Sequence, residues 1–402
     1  MSSPNTLIRH GTPEFRRITL ALFAAGFATF ALLYCVQPLM PVFAQTFNVG
    51  ATKSSLPLSL TTGLLAPAMM VAGAYSEARG RKQIMVASLG LSAALMFIAA
   101  AAPTWGVLLA ARALQGIAFA GLPAVSMAYL SEEVHPMSLG LAVGLMIGGN
   151  GLGGMMGRLA TSLVADRFGW RAALAGVATL GLIATIVFWR TLPASKHFTS
   201  RPLRVGALFR TFVTQLRDRR LAPLFAEGFL LMGCFVTAYN YVTFHLLGPP
   251  YSLSHAVVGW IFVVYLIGIF AAAWIGSLAG KAGRGKMLAT MIGMMLTGVV
   301  MMALRPTAFV VLGIATVTFG FFGAHSVAST WVGIRATHAK AQASGLYFFF
   351  YYLGSSLAGS FGGVFWERFG WFGVIGFLAV MLTLAFTALA ILAEEGPTAG
   401  AA

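Results

Sequence analysis

Long apolar segments follow one another along this chain with only short connections, and this pattern limits the folds available to it. A helix that crosses the hydrocarbon core of a bilayer needs about 20 mostly apolar residues. Charged residues make up only 9% of the chain, against about a quarter in soluble domains, so most of the surface must face lipid. The sequence predicts an all-α membrane protein with twelve transmembrane helices, at 18–38, 55–75, 83–102, 106–129, 139–164, 172–189, 222–246, 257–279, 287–304, 308–330, 343–366 and 372–392.

The basic residues indicate how the chain is oriented in the membrane. With twelve spans, both termini lie on the same side. That side holds 19 of the 26 lysines and arginines, and the opposite side holds five. Because an excess of positive charge marks the cytoplasmic face, both termini and the long connection 190–220 are expected in the cytoplasm. The net charge is +16, but its clustering between apolar segments argues against a nucleic-acid partner.

Two motifs occur twice, about half a chain apart. GAYSEARGRK at 73–82 has a second version, GSLAGKAGRGK, 203 positions later, and DRFGWR at 166–171 matches ERFGWF 201 positions later. Nearly equal offsets predict two pseudo-symmetric six-helix bundles, a repeat found in secondary transporters whose substrate path runs between the repeats. The predicted domains are an N-terminal cytoplasmic segment, a first bundle, a basic linker, a second bundle and a cytoplasmic tail, at 1–17, 18–189, 190–220, 221–392 and 393–402.

The loop between spans 2 and 3 resembles the G-x-L-A-D-R-x-G-R-K signature of the major facilitator superfamily, with Glu77 where that family has aspartate. A carboxylate here can accept hydrogen bonds from arginines and from a neighbouring helix N-terminus. It would then hold two helix ends together as a cytoplasmic gate; the other interpretation is that the cations only set the orientation. The second version has Gly280 in place of the acid, so its gate should be weaker or absent. The gate residues are Gly73, Glu77, Gly80, Arg81 and Lys82.

Two further motifs extend the resemblance to other spans. Arg112-x-x-Gln115-Gly116 in span 4 is similar to the R-x-x-Q-G motif of the superfamily. In proton-coupled members the equivalent arginine often belongs to the proton relay. GNGLGGMMGR at 149–158 is similar to the glycine-rich motif of the drug/proton antiporters, the efflux-permease branch, although Asn150 stands where a proline is expected. The resemblance implies a multi-pass transporter of the bacterial inner membrane.

The glycine motif of span 5 allows two structural interpretations. Small residues let helix backbones approach closely in lipid, and they also permit bending. The segment is therefore either a close, hinged contact between the two halves or a static packing face. Its residues are Gly149, Asn150, Gly153 and Gly154.

Ionisable side chains inside a membrane are costly and are usually functional. Of the ten acidic residues only Glu227 falls within a predicted span, so it is the leading candidate for proton binding; a structural pair with a cation is the alternative. Arg112 could bind an anionic substrate, tune a nearby proton site or hold backbone carbonyls. His325 can titrate near neutral pH, or it is a hydrogen-bonded packing group. Arg158 is expected to reach the outer interface by snorkelling.

The resemblance also implies which side chains face the substrate, because spans 1, 4, 7 and 10 line the cavity in this superfamily. A mostly apolar cavity with few polar groups fits an amphipathic or aromatic solute better than a sugar. The implied polar lining is Tyr34, Gln37, Arg112, Gln115, Glu227, Tyr239, Asn240 and His325.

The remaining function classes are separated by what the sequence lacks. It contains no metal-spaced His/Cys set, no nucleophilic triad and no phosphate-binding loop, so an enzyme and an ATP-driven pump are not expected. We predict a monomeric secondary transporter with no cofactor, driven by the proton gradient, whose partners are protons, lipid and a small-molecule substrate. Proton-coupled efflux by antiport is the first hypothesis and proton-linked uptake of a metabolite such as an organic anion is the alternative. A membrane sensor that transports nothing is a third.

Overall fold

The apolar segments form ten long helices in the computed structural model, which describes residues 7–198 and 212–394. Parts of the predicted N-terminal segment, linker and tail therefore lie outside the described residues. All ten helices are long and apolar enough to cross a membrane. They run Pro13–Thr46, Leu56–Arg79, Arg81–Ala100, Trp105–Glu133, Pro136–Thr191, Ala222–Leu247, His255–Ala282, Arg284–Met302, Thr307–Arg335 and Lys340–Leu392.

The two longest helices each contain two spans. Pro136–Thr191 is interrupted at Gly169, with φ 79°, and the last long helix is interrupted at Gly370, with φ 61°. Both angles lie in the left-handed region, which glycine adopts without steric cost. Dividing the helices at these glycines gives twelve spans in the described parts of the chain, and the predicted all-α fold with twelve membrane helices is confirmed.

A second pair of glycines separates spans 2 and 3 and their repeats, spans 8 and 9. Gly80 has φ 101° and Gly283 has φ 92°, and each is the residue before the next helix begins. The two are 203 positions apart, the same offset as the loop motif that contains them. The repeated sequence therefore produces a repeated backbone turn.

Span 1 is a broken helix, where the sequence predicts a single segment. Its first part runs Pro13–Tyr34, a 3₁₀ turn follows at Gln37–Leu39, and helix resumes at Met40–Thr46. Pro38 and Pro41 lack a backbone N–H and their rings clash with the preceding turn. These prolines account for the break.

The chain divides into two compact units whose boundaries fall inside spans 1 and 2. The first unit comprises Met1–Leu39 and Pro67–Val205, and the second comprises Met40–Ala66 and Gly206–Ala402. One boundary coincides with the break in span 1, and the other with Pro67 inside the helix of span 2. The end of span 1 and the start of span 2 thus pack within the second unit.

Serine hydroxyls hold segment 40–66 in the second unit. Ser55 Oγ donates a hydrogen bond to Ser360 Oγ at 3.0 Å, and Ser360 Oγ donates to Ser59 Oγ at 2.7 Å. Ser356 Oγ donates to the carbonyl of Ser59 at 2.7 Å. Hydrogen bonds of this kind are a main attraction between helices in lipid, so spans 2 and 11 are joined by a polar seam.

The glycine motif of span 5 packs against span 1. A Cβ added at Gly153 would lie 2.5 Å from Cα of Phe27, and one at Gly157 would lie 2.5 Å from Cα of Ala31. Gly149 repeats this approach one turn earlier. The glycine face is thus used inside the first unit, which supports the packing-face interpretation of the two that the sequence left open.

Candidate functional site

The break in span 1 is held by the arginine and glutamine of the span 4 motif. Arg112 is fully buried, and its guanidinium donates to the carbonyls of Leu32 and Leu33 at 3.1 and 2.7 Å. Helix carbonyls of a last turn lack intrahelical donors. Gln115 accepts from Arg112 at 2.5 Å and donates to the carbonyl of Ser92 at 2.7 Å. Of the roles predicted for Arg112, this geometry fits the one that holds backbone carbonyls.

A second guanidinium lies at the same break. Arg158 is 1% exposed, and its Nε donates to Gln37 Oε1 at 2.5 Å. Its Nη1 donates to the carbonyl of Gly154 at 2.6 Å, and its Cζ lies 4.2 Å from the ring centroid of Tyr34. The expectation that Arg158 snorkels to the outer interface is wrong, because the close packing of spans 1 and 5 directs this side chain into the bundle.

In the second unit, Glu227 is buried without a hydrogen-bond partner. The residue is 0% exposed, and within residues 7–198 and 212–394 neither carboxyl oxygen has a partner. The ring of Tyr347 is adjacent, since a Cβ added at Gly228 would lie 3.0 Å from its Cε2. Leaving an ionised carboxylate in such surroundings is costly, whereas a protonated carboxyl is tolerated far better.

His325 lies in an aromatic cluster of the second unit. Its Nδ1 is 2.9 Å from the hydroxyl of Tyr347, and its ring centroid is 4.7 Å from that of Tyr351 and 5.9 Å from that of Phe321. Phe321 in turn stacks on Phe235, with centroids 3.9 Å apart. Tyr347 therefore links the imidazole of span 10 to the surroundings of Glu227 in span 7.

Tyr239 and Asn240 lie elsewhere in span 7 and use their polar atoms on neighbouring helices. The hydroxyl of Tyr239 is 2.7 Å from Thr318 Oγ1, and Asn240 donates to the carbonyl of Gly359 at 3.2 Å. Both are separated from Glu227 by more than three helical turns, about 20 Å along the axis. The predicted lining of span 7 is thus split into two separate places.

The predicted gate has a different carboxylate from the one expected. Arg81 Nη2 donates to Glu132 Oε1 at 2.7 Å and its Nε to Glu132 Oε2 at 3.2 Å. Its Nη1 donates to Ser76 Oγ at 2.6 Å. Among the described residues Glu77 has no ion-pair partner, because Gly80 ends the helix of span 2 and Arg81 begins a new one. The expected pairing of Glu77 with the arginines is therefore wrong.

The start of the linker is fixed to the same helix ends. Glu133 is buried and accepts backbone N–H bonds from Lys196 and His197 at 2.7 and 3.0 Å, and its other oxygen is 3.0 Å from His197 Nδ1. Lys82 Nζ donates to the carbonyl of Leu192 at 2.5 Å. These contacts join loop 2–3, the end of span 4 and the segment after span 6.

Asn150 occupies the place that a proline has in the related motif. Its side-chain oxygen lies directly over Gly26 of span 1, where any Cβ would clash with it. Because Gly26 has no side chain, it leaves the space that the side chain of Asn150 occupies. Gly73, the remaining residue of the loop motif, has open space around its α-carbon.

Sequence reasoning missed three functional candidates in the described part of the chain. Glu132 and Glu133 were assigned to a connection, but the helix of span 4 extends to Glu133, beyond the end of the apolar run. Tyr347 was not among the predicted polar lining residues. The available signal for a buried guanidinium was the position of Arg158 inside span 5, four residues after Gly154.

The chain is similar to transporters over nearly its whole length. A family model described as Major Facilitator Superfamily matches residues 22–359. The uncharacterized MFS-type transporter YybF of Bacillus subtilis (strain 168) is 49% identical over 380 residues, which cover 94% of each chain. The inner membrane transport protein YnfM of Escherichia coli (strain K12) is 46% identical over 385 residues, covering 96% of this chain and 92% of the relative.

Solved structures show the same fold at low sequence identity. The nucleoside transporter NupG matches with a TM-score of 0.78 at 16% identity, covering 93% of this chain and 99% of its own. A bacterial homologue of the human lysosomal transporter Spinster, in an inward-facing and occupied conformation, matches with a TM-score of 0.77 at 14% identity. The match covers 96% of this chain and 97% of the homologue. At this level of identity the likeness concerns the fold alone.

Proposed function

The chain belongs to the major facilitator superfamily and is a membrane transporter rather than an enzyme, and from that premise we propose that it exports small amphipathic or aromatic organic compounds in exchange for protons. It works by alternating access, with the proton gradient as its energy source and no cofactor. It acts as a monomer in a bacterial inner membrane, with both termini in the cytoplasm.

The observation that carries the proton coupling is the burial of Glu227 without a hydrogen-bond partner. A carboxyl in apolar surroundings takes up a proton readily and releases it once water or a cation reaches it. Alternating access supplies that change of surroundings, since the site is exposed to one side of the membrane at a time. Glu227 therefore binds the proton in one state and releases it in the other.

The aromatic cluster of the second unit supports the choice of solute. Phe322, His325 and Tyr351 are partly exposed, while Phe235 and Phe321 behind them are buried. Aromatic faces bind flat, apolar groups by offset stacking. A solute with an aromatic body fits such a wall better than a polyol, which needs many hydrogen-bond partners.

The coupling is tested with purified protein in proteoliposomes containing a pH-sensitive dye. Aromatic compounds are added against an imposed pH gradient, and proton flux and solute flux are recorded together. We expect Glu227→Gln to abolish solute-dependent proton flux while the protein still folds. The control is Glu14→Gln, which removes an exposed carboxylate from the first turn of span 1 and should leave coupling intact. Normal coupling in the Glu227 variant would refute its role.

The second candidate function is proton-linked uptake of an organic anion. The buried guanidinium of Arg158 favours a negatively charged substrate. Direction is decided in cells with and without the gene. Greater accumulation of a test compound after deletion indicates export, and reduced accumulation indicates uptake. A compound whose level does not change is not transported under those conditions.

A further inference from the structure

Arg158 lies inside a membrane-spanning helix and is 1% exposed. It precedes Gly169, where that helix is interrupted, by eleven residues, or about 16 Å along the helix. A guanidinium buried within a membrane helix is costly and is rarely kept for packing alone, so its position calls for a function.

Two of the groups that Arg158 contacts, the side chains of Gln37 and Tyr34, are of a kind that a ligand can replace. The Gln37 contact is a side-chain amide oxygen at 2.5 Å, and the Tyr34 contact is the face of a ring. An amide oxygen is a neutral acceptor, and a carboxylate binds a guanidinium about twice as strongly, often through two parallel hydrogen bonds. An anionic group that reached this place would displace Gln37 and would gain the released amide N–H as a second donor.

The neighbouring Arg112 has a different role: it serves carbonyls at a helix end, whereas the carbonyl that Arg158 contacts, that of Gly154, lies inside a continuous helix and already accepts a backbone N–H. Arg112 donates to the carbonyls of Leu32 and Leu33, which end the first part of span 1. Removing it from these carbonyls would leave backbone acceptors unsatisfied in the membrane, at a cost of several kcal/mol each. Arg112 therefore stabilises the break, and Arg158 lies at the opened backbone beside it.

The broken helix is the second, independent observation. The first helical part of span 1 ends at Tyr34 and the 3₁₀ turn begins at Gln37, so these two partners of Arg158 lie at the two edges of the break. Interrupted membrane helices next to ionisable side chains are where transporters of several folds place their substrates. The interruption gives Gln37 the freedom to exchange its hydrogen bond for a ligand.

We propose that Arg158, Gln37 and Tyr34 form the binding site for the acidic group of the transported solute, so that the substrates are aromatic or amphipathic carboxylic acids. Arg158 binds the carboxylate through two N–H groups, the Gln37 amide donates a further hydrogen bond, and the Tyr34 ring contacts the adjoining apolar part. The inference rests on the transport function proposed above and adds the chemical class of the substrate.

The test is equilibrium binding to the purified full-length protein, measured as a thermal shift without any pH gradient. The probes are benzoate, its uncharged amide benzamide and the cation benzylamine. Of the three probes, only benzoate should raise the thermal midpoint of the protein. Arg158→Gln should weaken this effect at least about tenfold, whereas Arg171→Gln should not, because Arg171 lies at the start of span 6 and donates to the carbonyl of Ala102.

A second variant keeps the proposal falsifiable if Arg158→Gln does not fold. Gln37→Glu places a carboxylate of the chain itself on Arg158, so it should fold at least as well as the natural protein and no longer respond to benzoate. Undiminished benzoate binding by this variant, or equal shifts with benzamide, or no benzoate shift at all, would overturn the proposal. Because no gradient is applied, benzoate binding that persists when proton coupling fails separates this inference from the proposed function.

Discussion

The contact between spans 1 and 5 gives a prediction whose size follows from the structure. We expect Gly153→Ala to destabilise the protein, because the new Cβ would lie 2.5 Å from Cα of Phe27, nearly 1 Å short of the 3.4 Å at which ordinary van der Waals contact begins. The obstacle is backbone, which cannot rotate away as a side chain can. The two helices would have to separate along the whole seam.

Two energetic contributions, helix propensity and overpacking, determine how much each substitution changes the free energy of unfolding. Replacing glycine by alanine in a helix gains up to about 1 kcal/mol in helix propensity, and this gain is common to all interior positions of one helix. Overpacking a close contact costs about 1–3 kcal/mol and occasionally more. The matched control is Gly148→Ala in the same helix, because no atom lies within 4 Å of its added Cβ. Because the propensity gain cancels, the free energies of unfolding of the two variants should differ by the overpacking cost, about 1–3 kcal/mol.

The assay is the thermal midpoint of the detergent-solubilised protein, with folding followed by size-exclusion chromatography. Gly354→Ala in the second unit should behave like the Gly153 variant, since its Cβ would lie 2.8 Å from Cα of Phe229. If the Gly153 and Gly148 variants had equal midpoints, close backbone packing would not be what glycine supplies at this seam.

Two further predictions concern the loop between spans 2 and 3. In a double-mutant cycle Arg81→Ala and Glu132→Ala should show a coupling energy of about 1 kcal/mol or more, because the pair is bidentate and its side chains are 8% and 27% exposed. The stability changes of Glu77→Ala and Arg81→Ala should instead be additive. Coupling between these two residues would contradict the assignment of Glu132 as the partner of Arg81. Gly80→Ala should lower the free energy of unfolding by about 1–2 kcal/mol, since φ is 101° and only glycine adopts this angle without strain. Gly73→Ala in the preceding helix should be neutral or stabilising. If the Gly80 variant had the higher thermal midpoint of the two, the left-handed turn at Gly80 would be refuted.

The fold was largely predictable because lipid imposes a simple rule on sequence. Apolar runs long enough to span the hydrocarbon core were sufficient to predict twelve helices, and the shared offset of two motifs predicted two repeats. Gly169 and Gly370, which divide the two longest helices, lie in the second motif and its copy. The break in span 1 was missed because Pro38 and Pro41 lie inside an apolar run. Apolar length shows that a segment spans the membrane, but not whether its helix is continuous.

The site was less predictable, because the direction of a side chain depends on how helices are rotated against each other. Arg158 and Gln37 are 121 positions apart, and only the packing of spans 1 and 5 brings them to 2.5 Å. Arg81 and Glu77 are four positions apart, a spacing that favours pairing on a continuous helix, but Gly80 interrupts the helix between them. Glu227 stands out in the sequence because its segment is otherwise apolar.

The glycine seam also limits how spans 1 and 5 can move relative to each other. The close approaches at Gly149, Gly153 and Gly157 repeat every four residues, which is about 6 Å along a helix. A smaller sliding displacement would bring larger side chains against the opposing backbone, so the two helices can slide past each other only by about one helical turn. In smaller motions spans 1 and 5 must move together as one rigid body.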